Sequence, residues 1–443
     1  MMRLLLSQVA AAVGGRLVGD DVEVFGVSTD TRTAQPGELL IALSGPRFDA
    51  HEHITADLPA AGLLVVRPVD VDRPQVVVGD TRQALADLAR FWAQQCPARR
   101  IALTGSNGKT STKEMLATIL RREGHTLYTQ GNLNNEIGVP LTLLRLDPEH
   151  QFAVIEMGAN HAGEIARLTQ IAQPHVALIT NAGPAHLEGF GSIEGVAHAK
   201  AEIYQGLGTT GIALVNADDD YADLWCGLNA ERRMIRFGFS EQADVRGVPL
   251  ADGGFAISLA GETVAVNLPL AGQHNRMNAL AAAAAAWAVG VQLERIAEAL
   301  VNLQPVPGRL KRQTTPAGWT LIDDSYNANP ASTRAAIDVL AAEPGYRVLV
   351  LGDMGELGAD AESMHAGIGA YAAACGIDVM YGLGPLSAHA VRGFGAAGRH
   401  FMDIEELIDA LQRALSGTVS VLVKGSRSAR MERVVEALCR EAA

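Results

Sequence analysis

The chain has 443 residues, 48% hydrophobic and 19% charged, with 46 glycines and a formal net charge of −13. At roughly 150 residues per domain this is room for about three domains, and the apolar content excludes a disordered chain. The acidic balance excludes the basic face on which nucleic-acid binding depends, so any anionic ligand must rely on local cations.

The opening "MMRLLLSQVAAAVGG" reads as a first helix rather than a signal peptide, because Ser7 and Gln8 interrupt its apolar run. From Val22 to about Asp80, the runs "VEVFGVS", "ELLIALSG", "GLLVVRP" and "QVVVGD" alternate with polar turns and predict a small β-rich mixed domain. The helix "TRQALADLARFWAQQ" follows, and from Arg99 to about Pro307 the pattern becomes strand then helix, repeated, which predicts a parallel sheet covered by helices. Within it, "DVRGVPLADGGFAISLAGETVAVNLPLAG" alternates with period two and predicts a small inserted antiparallel sheet. "ALAAAAAAWAV" is far short of the roughly 20 apolar residues of a membrane span and reads as a buried helix. "LQPVPGR" breaks helix and strand alike and is the linker and candidate hinge. Beyond it, "TLIDDSYN", "RVLVLGDMG", "DVMYGLG" and "SVLVKGS" predict a second doubly wound unit without a phosphate loop. The expected fold is α/β in three domains. These are a small mixed α/β domain (1–82), a central parallel-sheet domain of P-loop type with a small antiparallel sheet (83–312), and a Rossmann-like doubly wound domain (313–443).

The chemistry centres on "TGSNGKTS", where Ser106 and Asn107 alone separate Gly105 from Gly108. A strand feeds this loop and a helix leaves it, so backbone N–H groups and the helix dipole face an anion. Lys109 can reach terminal phosphates and the Thr110 hydroxyl can bind Mg²⁺; an ordinary glycine turn is the plain alternative. Glu156 ends the next strand, where a carboxylate lies beside a nucleotide loop and offers Mg²⁺ a hard oxygen. His186 and Lys200 stay open on spacing alone, between structural and metal roles for the one and a solvated charge for the other. The four cysteines, Cys96, Cys226, Cys375 and Cys439, have neither metal nor redox spacing, which fits a reducing cytoplasm.

Taken in order, "TGSNGKTS", "VIEMGAN", "NAGPAHLEGFGS", "AKAEIY", "GQHNRMNALAAAA", "PGRLKR" and "DDSYNANPAS" strongly resemble the Mur ligase family, ATP-dependent amide-forming enzymes of peptidoglycan precursor synthesis. With "STDTR", "GPRFDAH", "GNLNNEIGVPLTLL" and "LGDMGELG", the resemblance covers nearly the whole chain. It implies ATP and Mg²⁺ as cofactors, UDP-N-acetylmuramoyl-tripeptide and D-alanyl-D-alanine as substrates, and a cytoplasmic monomer with no membrane span. A sister ligase adding a single amino acid and a nucleotide-switched binding protein are the rival readings.

Residue by residue, the resemblance puts ATP phosphates on Gly105, Ser106, Asn107, Gly108, Lys109, Thr110 and Ser111. It puts Mg²⁺ on Thr110 and Glu156, and a second metal at His186 and at Lys200 if that lysine is carbamylated. Asn275 and Asn278 fall near the adenine, Arg309 near the phosphates, and Asp324, Tyr326 and Asn329 near the ribose, while N-cap or turn roles stay open for Asn275 and Asn329. Ser28, Thr29, Asp30 and Arg32 suit a uridine diphosphate, Arg47, Phe48, Asp49 and His51 the uracil, and Asn134 and Asn135 the sugar-peptide. A zinc site from His51 and His53 lacks a third ligand at a useful spacing. Lys424 and Arg427 are candidates for a peptide carboxylate or a solvated charge pair, and neither is given a chemical role.

Overall fold

The computed structural model describes residues 1–46, 48–251 and 254–440. The chain starts with a strand, Arg3–Leu5, paired antiparallel to Glu23–Phe25, and the first helix begins only at Leu6 and runs to Val13. This corrects the single-helix reading: Leu4 is buried between exposed Arg3 and Leu5, the period of a strand. A five-stranded sheet follows, in the order Arg16–Val18, Gln75–Val77, Gly62–Val65, Leu39–Ile41, Val27–Ser28. It is parallel except for the Arg16–Val18 edge.

The helix Thr81–Gln95 is capped by Asp80, whose side chain accepts from the Arg82 and Gln83 N–H groups, satisfying two donors that the first turn leaves free. It straddles residue 82, and Leu85, Leu88 and Trp92 on its buried face join one core with Val9 and Leu64 on one side and Leu143 and Ile165 on the other.

The central sheet has nine strands in the order Thr126–Tyr128, Phe152–Glu156, Arg99–Thr104, Val176–Ile179, Ile212–Asn216, Arg233–Gly238, Val245–Pro249, Phe255–Leu259, Glu262–Val266. Arg99–Thr104 has a parallel neighbour on each side, reached by crossovers in opposite directions, so a crevice opens at its carboxyl end. The antiparallel strands form no separate sheet. Val245 and Arg246 pair in parallel with Phe237 and Gly238, and the last two strands extend the same sheet from that edge. The alanine run lies in helix Gln273–Ala288, where residues 279–286 are buried and the helix packs on Lys109–Leu120. Methyl side chains let the two backbones approach closely.

The C-terminal sheet runs Lys311–Thr314, Thr320–Asp324, Val419–Lys424, Tyr346–Gly352, Val379–Leu383, Gly398–Phe401. All pairs are parallel except the first. The two edge strands were not predicted, because "KRQT" and "GRHF" are polar and half-exposed and carry no apolar run. Lys311–Thr314 spans the anticipated boundary at 312–313. Among the described residues, no helix is long and apolar enough to cross a membrane.

Candidate active site

The phosphate loop sits in the central crevice. Gly105 and Gly108 have φ of +149° and +79°, and a Cβ on Gly105 would come within 1.9 Å of Thr180 Oγ1. Only glycine fits that position without moving its neighbour. The loop is held from outside: Asn107 N–H donates to Asn181 Oδ1 at 2.9 Å, and Thr180 Oγ1 donates to the Asn107 carbonyl at 2.6 Å. The Ser106 hydroxyl bonds the Gly183 backbone. Lys109, at the start of its helix, donates to the Gly105 carbonyl at 2.6 Å. Burial pushes its pKa down while Glu156 opposes that shift, and an anionic oxygen placed beside it would favour the charged form in the same way.

Glu156 is 2% exposed at its strand end. Thr110 Oγ1 donates to its Oε2 at 3.2 Å, Asn134 Nδ2 to its Oε1 at 2.9 Å, and Lys113 Nζ lies 3.9 Å away. A hydroxyl and a carboxylate side by side beside a phosphate loop are hard oxygen donors that fit Mg²⁺. Asn134, placed at the substrate by resemblance, thus touches the carboxylate as well. Asn135 Oδ1 accepts from the Ile137 and Gly138 N–H groups at the start of the next helix. The sequence reading missed Lys113, although its i+4 spacing from Lys109 places it on the same helix face.

His186 has φ of +52° and lies 2.6 Å, through Nδ1, from Glu356 Oε2 of the C-terminal unit. Burial lowers its pKa and Glu356 pulls the other way. Lys200 is 2% exposed and makes no ion pair among the described residues; its Nζ lies 5.2 Å from the Phe190 ring centroid. Burial, reinforced by Lys109, lowers its pKa to about 7. The solvated-charge reading of Lys200 therefore fails.

The linker and C-terminal unit wall the other side. Asp323 Oδ2 accepts from Gly308 N–H at 2.9 Å and Asp324 Oδ1 from Leu310 N–H at 3.2 Å, so two adjacent carboxylates clamp the linker end. Arg309 between them stacks on Tyr326, 4.0 Å from the ring centroid, and donates to Thr110 Oγ1 at 3.3 Å. Lys424 is also buried, donating to Asp324 Oδ2 at 2.5 Å and to the Asn327 carbonyl, which replaces the solvated-pair reading. Arg427 is exposed and paired with Glu432. Asn329 is an N-cap, as one reading held, and Asn275 Nδ2 bonds the Ala271 carbonyl. Asn278 lies against the loop, 2.1 Å from where a Cβ on Gly108 would stand.

A cavity of about 880 Å³ joins these groups, its lining running from Ser106–Ser111 through Asn134, Asn135, Glu156 and His186 to Asn275, Asn278, Arg309, Asp324, Tyr326 and Asn329. Lys200 is not among the lining residues, and the sugar-nucleotide candidates lie outside the cavity as well. Among the latter, Arg32 and Asp30 pair with each other at 2.7 Å, which with the backbone bond holds Asp30 at about 2. Ser28 Oγ donates to the Asp30 carbonyl, and Thr29 is half-buried beside them. Phe48 is exposed and stacks on His53 at 5.5 Å, and Asp49 pairs with Arg67. His51, placed at the uracil by resemblance, instead spends both ring nitrogens inside the fold: Nε2 accepts from Val66 N–H, leaving the Nδ1 proton for Asp49. That also removes the zinc alternative. Arg47 lies outside the described residues.

A short phosphate loop at the switch point of a parallel sheet, with a second doubly wound unit supplying the opposite wall, defines a P-loop nucleotide-binding protein of several α/β units. Residues 103–286 match the Mur ligase middle domain and residues 308–427 the Mur ligase, glutamate ligase domain. The chain is 49% identical to the UDP-N-acetylmuramoyl-tripeptide–D-alanyl-D-alanine ligase of Escherichia coli and 41% identical to that of Haemophilus influenzae, each over 99% of both chains. Its structure resembles MurF from Acinetobacter baumannii (38% identity, all of both chains, TM-score 0.93). It also resembles MurF from Thermotoga maritima in complex with ADP (28% identity, 94% of this chain and 97% of that one, TM-score 0.83). The chain belongs to the Mur ligase family.

Proposed function

We propose that this chain uses ATP to join D-alanyl-D-alanine to UDP-N-acetylmuramoyl-tripeptide, giving the UDP-linked pentapeptide precursor of peptidoglycan, ADP and phosphate. The observation that carries this reading is the trio Lys109, Thr110 and Glu156 at one end of a cavity whose far wall comes from the C-terminal unit, in a chain that keeps 49% identity to a ligase of that name from end to end.

Amide formation from a carboxylate in water needs an activated acyl group. The tripeptide carboxylate attacks the γ-phosphorus of ATP, ADP departs, and an acyl phosphate remains. The amine of D-alanyl-D-alanine adds to its carbonyl carbon, and the tetrahedral intermediate expels phosphate. Lys109 neutralises charge on the transferring oxygens, and Arg309 reaches the same end of the loop from the linker. Thr110 and Glu156 would hold Mg²⁺, and His186 and a carbamylated Lys200 a second metal, the ions supplying charge neutralisation at the phosphates. Walls from two units exclude water, which would otherwise hydrolyse the acyl phosphate.

The remaining assignments belong to the same proposal. Gly105, Ser106, Asn107, Gly108 and Ser111 cradle phosphate, Asn275 and Asn278 face the adenine, and Asp324, Tyr326 and Asn329 the ribose side. Ser28, Thr29, Asp30, Arg32, Phe48 and Asp49 receive the uridine diphosphate, supported by the exposed Phe48 ring and the Arg32 cation. The working units are 1–82, 83–312 and 313–443, hinged at 303–309, in a cytoplasmic monomer; the four cysteines, all free, fit that compartment.

The test is phosphate release with ATP, Mg²⁺ and UDP-N-acetylmuramoyl-tripeptide, with and without D-alanyl-D-alanine, with Lys109→Ala as control. Release that needs both substrates, with the pentapeptide nucleotide seen by mass, is the expected result. Release indifferent to D-alanyl-D-alanine would overturn the reading in favour of a sister ligase or a nucleotide switch.

A further inference from the structure

The stretch "GDMGELG" after strand Tyr346–Gly352 has no part in the reaction as described so far. Its first half is firmly tied. Asp353 Oδ1 accepts from Ser387 N–H at 2.7 Å, the Asp353 carbonyl accepts from Ser426 N–H and Oγ, and Met354 N–H donates to His365 Nε2 at 2.9 Å. From this platform Glu356 projects with φ of +62° toward His186, itself at +52°. Two non-glycine residues in the left-handed region cost backbone energy, and such strain gathers where geometry serves a function.

Glu356 Oε2 stands 2.6 Å from His186 Nδ1. Among the described residues, the ion pairs joining the central unit to the C-terminal unit are this one and Arg312–Glu343 at the unit boundary, and this one alone includes a residue that lines the cavity. Burial of the partners does not account for it, since the Glu356 side chain is 59% exposed and that of His186 26%. His186 Nδ1 is nonetheless buried and lacks a hydrogen bond of full geometry, so a small turn of the exposed carboxylate would complete the bond. A metal-bound histidine generally donates its second ring N–H to a carboxylate, which fixes tautomer and ring orientation.

We propose that Glu356 is a positioning residue for His186: when the C-terminal unit closes, the carboxylate accepts the Nδ1–H bond and leaves Nε2 as the lone-pair nitrogen for the metal. The inference rests on the metal reading of His186. It makes metal affinity depend on closure, so that the site is completed only when the cavity has both walls.

The experiment measures Mn²⁺ affinity by electron paramagnetic resonance in the complex with a non-hydrolysable ATP analogue and UDP-N-acetylmuramoyl-tripeptide. The His186 tautomer is read in the same complex by ¹⁵N NMR, with His186→Ala assigning the signal. Glu356→Ala should weaken Mn²⁺ binding about tenfold or more and shift the proton away from Nδ1. Glu356→Gln, whose amide oxygen accepts the same bond, should stay near the wild type. Unchanged affinity and tautomer in Glu356→Ala, or a Gln variant as weak as the Ala variant, would overturn the proposal. Wild-type Mn²⁺ affinity in His186→Ala would overturn the metal reading beneath it instead. Neither readout needs turnover, so a wild type that joins nothing would sink the proposed function and leave these results standing.

Discussion

Asn329 Nδ2 donates to Asn107 Oδ1 at 2.7 Å, joining the N-terminus of a C-terminal-unit helix to the tip of the phosphate loop across 222 residues of sequence. The same side chain caps its own helix, Oδ1 accepting from Ser332 N–H at 2.9 Å. Its two ends therefore do different work, and substitution can separate them. Asn329→Ala should destabilise the protein by about 1 kcal/mol through loss of the cap and also weaken ATP binding. Asn329→Asp keeps the capping oxygen but sets a carboxylate oxygen against Asn107 Oδ1, so its thermal midpoint should stay near that of the wild type while its KM for ATP rises. Equal ATP affinity in the wild type and the Asp variant would show that the bridge is incidental.

Arg309 stacks on Tyr326 at 4.0 Å and reaches Thr110, with a linker clamped by Asp323 and Asp324 holding the arginine between them. The guanidinium–ring attraction is worth about 0.5–2 kcal/mol depending on desolvation. Tyr326→Phe retains the ring face and should retain most of kcat. Tyr326→Leu should lose about two- to thirtyfold in kcat, the same interval expressed as a rate. Steady-state kinetics on both variants decide the matter, and equal losses would point to the hydroxyl instead of the face.

Lys200 is buried and holds a pKa of about 7, so near neutral pH a substantial fraction is the free amine that can add to CO₂. A carbamate would turn a cation beside Lys109 into an oxygen donor. Activity should fall in CO₂-depleted buffer and recover on adding bicarbonate, and native mass spectrometry should find an added CO₂ that Lys200→Arg lacks. Full activity without CO₂, with no added mass, would return Lys200 to the role of a buried amine.

What could be read in the sequence was what is local. A strand, two glycines and a helix start place Lys109 and Thr110 without any distant partner, and Glu156 follows from ending the next strand. Features fixed by remote pairing were hidden. Leu4 belongs to a strand only because Glu23–Phe25 lies beside it, and the polar edge Lys311–Thr314 is held by pairing with Thr320–Asp324. Lys424 reads as a surface charge until Asp324, 100 residues away, is seen against it. Glu356 carries no local sign of His186, and His51 gives none of the Val66 N–H that occupies its ring.

His365 tests how the Glu356 loop is held. It is fully buried, its Nε2 accepts from Met354 N–H, and its proton therefore sits on Nδ1, 2.6 Å from the Ala361 carbonyl. Burial pushes its pKa below the ordinary 6.5, with the Ala361 bond and Asp353 opposing and His389 assisting. Between that lowered value and 6.5 the unfolded chain binds a proton that the folded chain refuses. The stability associated with the neutral ring is thus fully present above about 6.5 and is lost as pH falls through the interval, with a slope of at most about 1.4 kcal/mol per pH unit. Burial also lowers the pKa of His175 and His274, so the informative quantity is a difference between proteins. Denaturant unfolding at pH 7.5 and pH 5.5 should show a smaller acid loss in His365→Gln than in the wild type. At pH 7.5 the variant should be the less stable of the two, because glutamine fills the ring's place imperfectly. Parallel acid losses in the two proteins would mean that His365 does not titrate on unfolding in this range, and that the Met354 bond persists at pH 5.5.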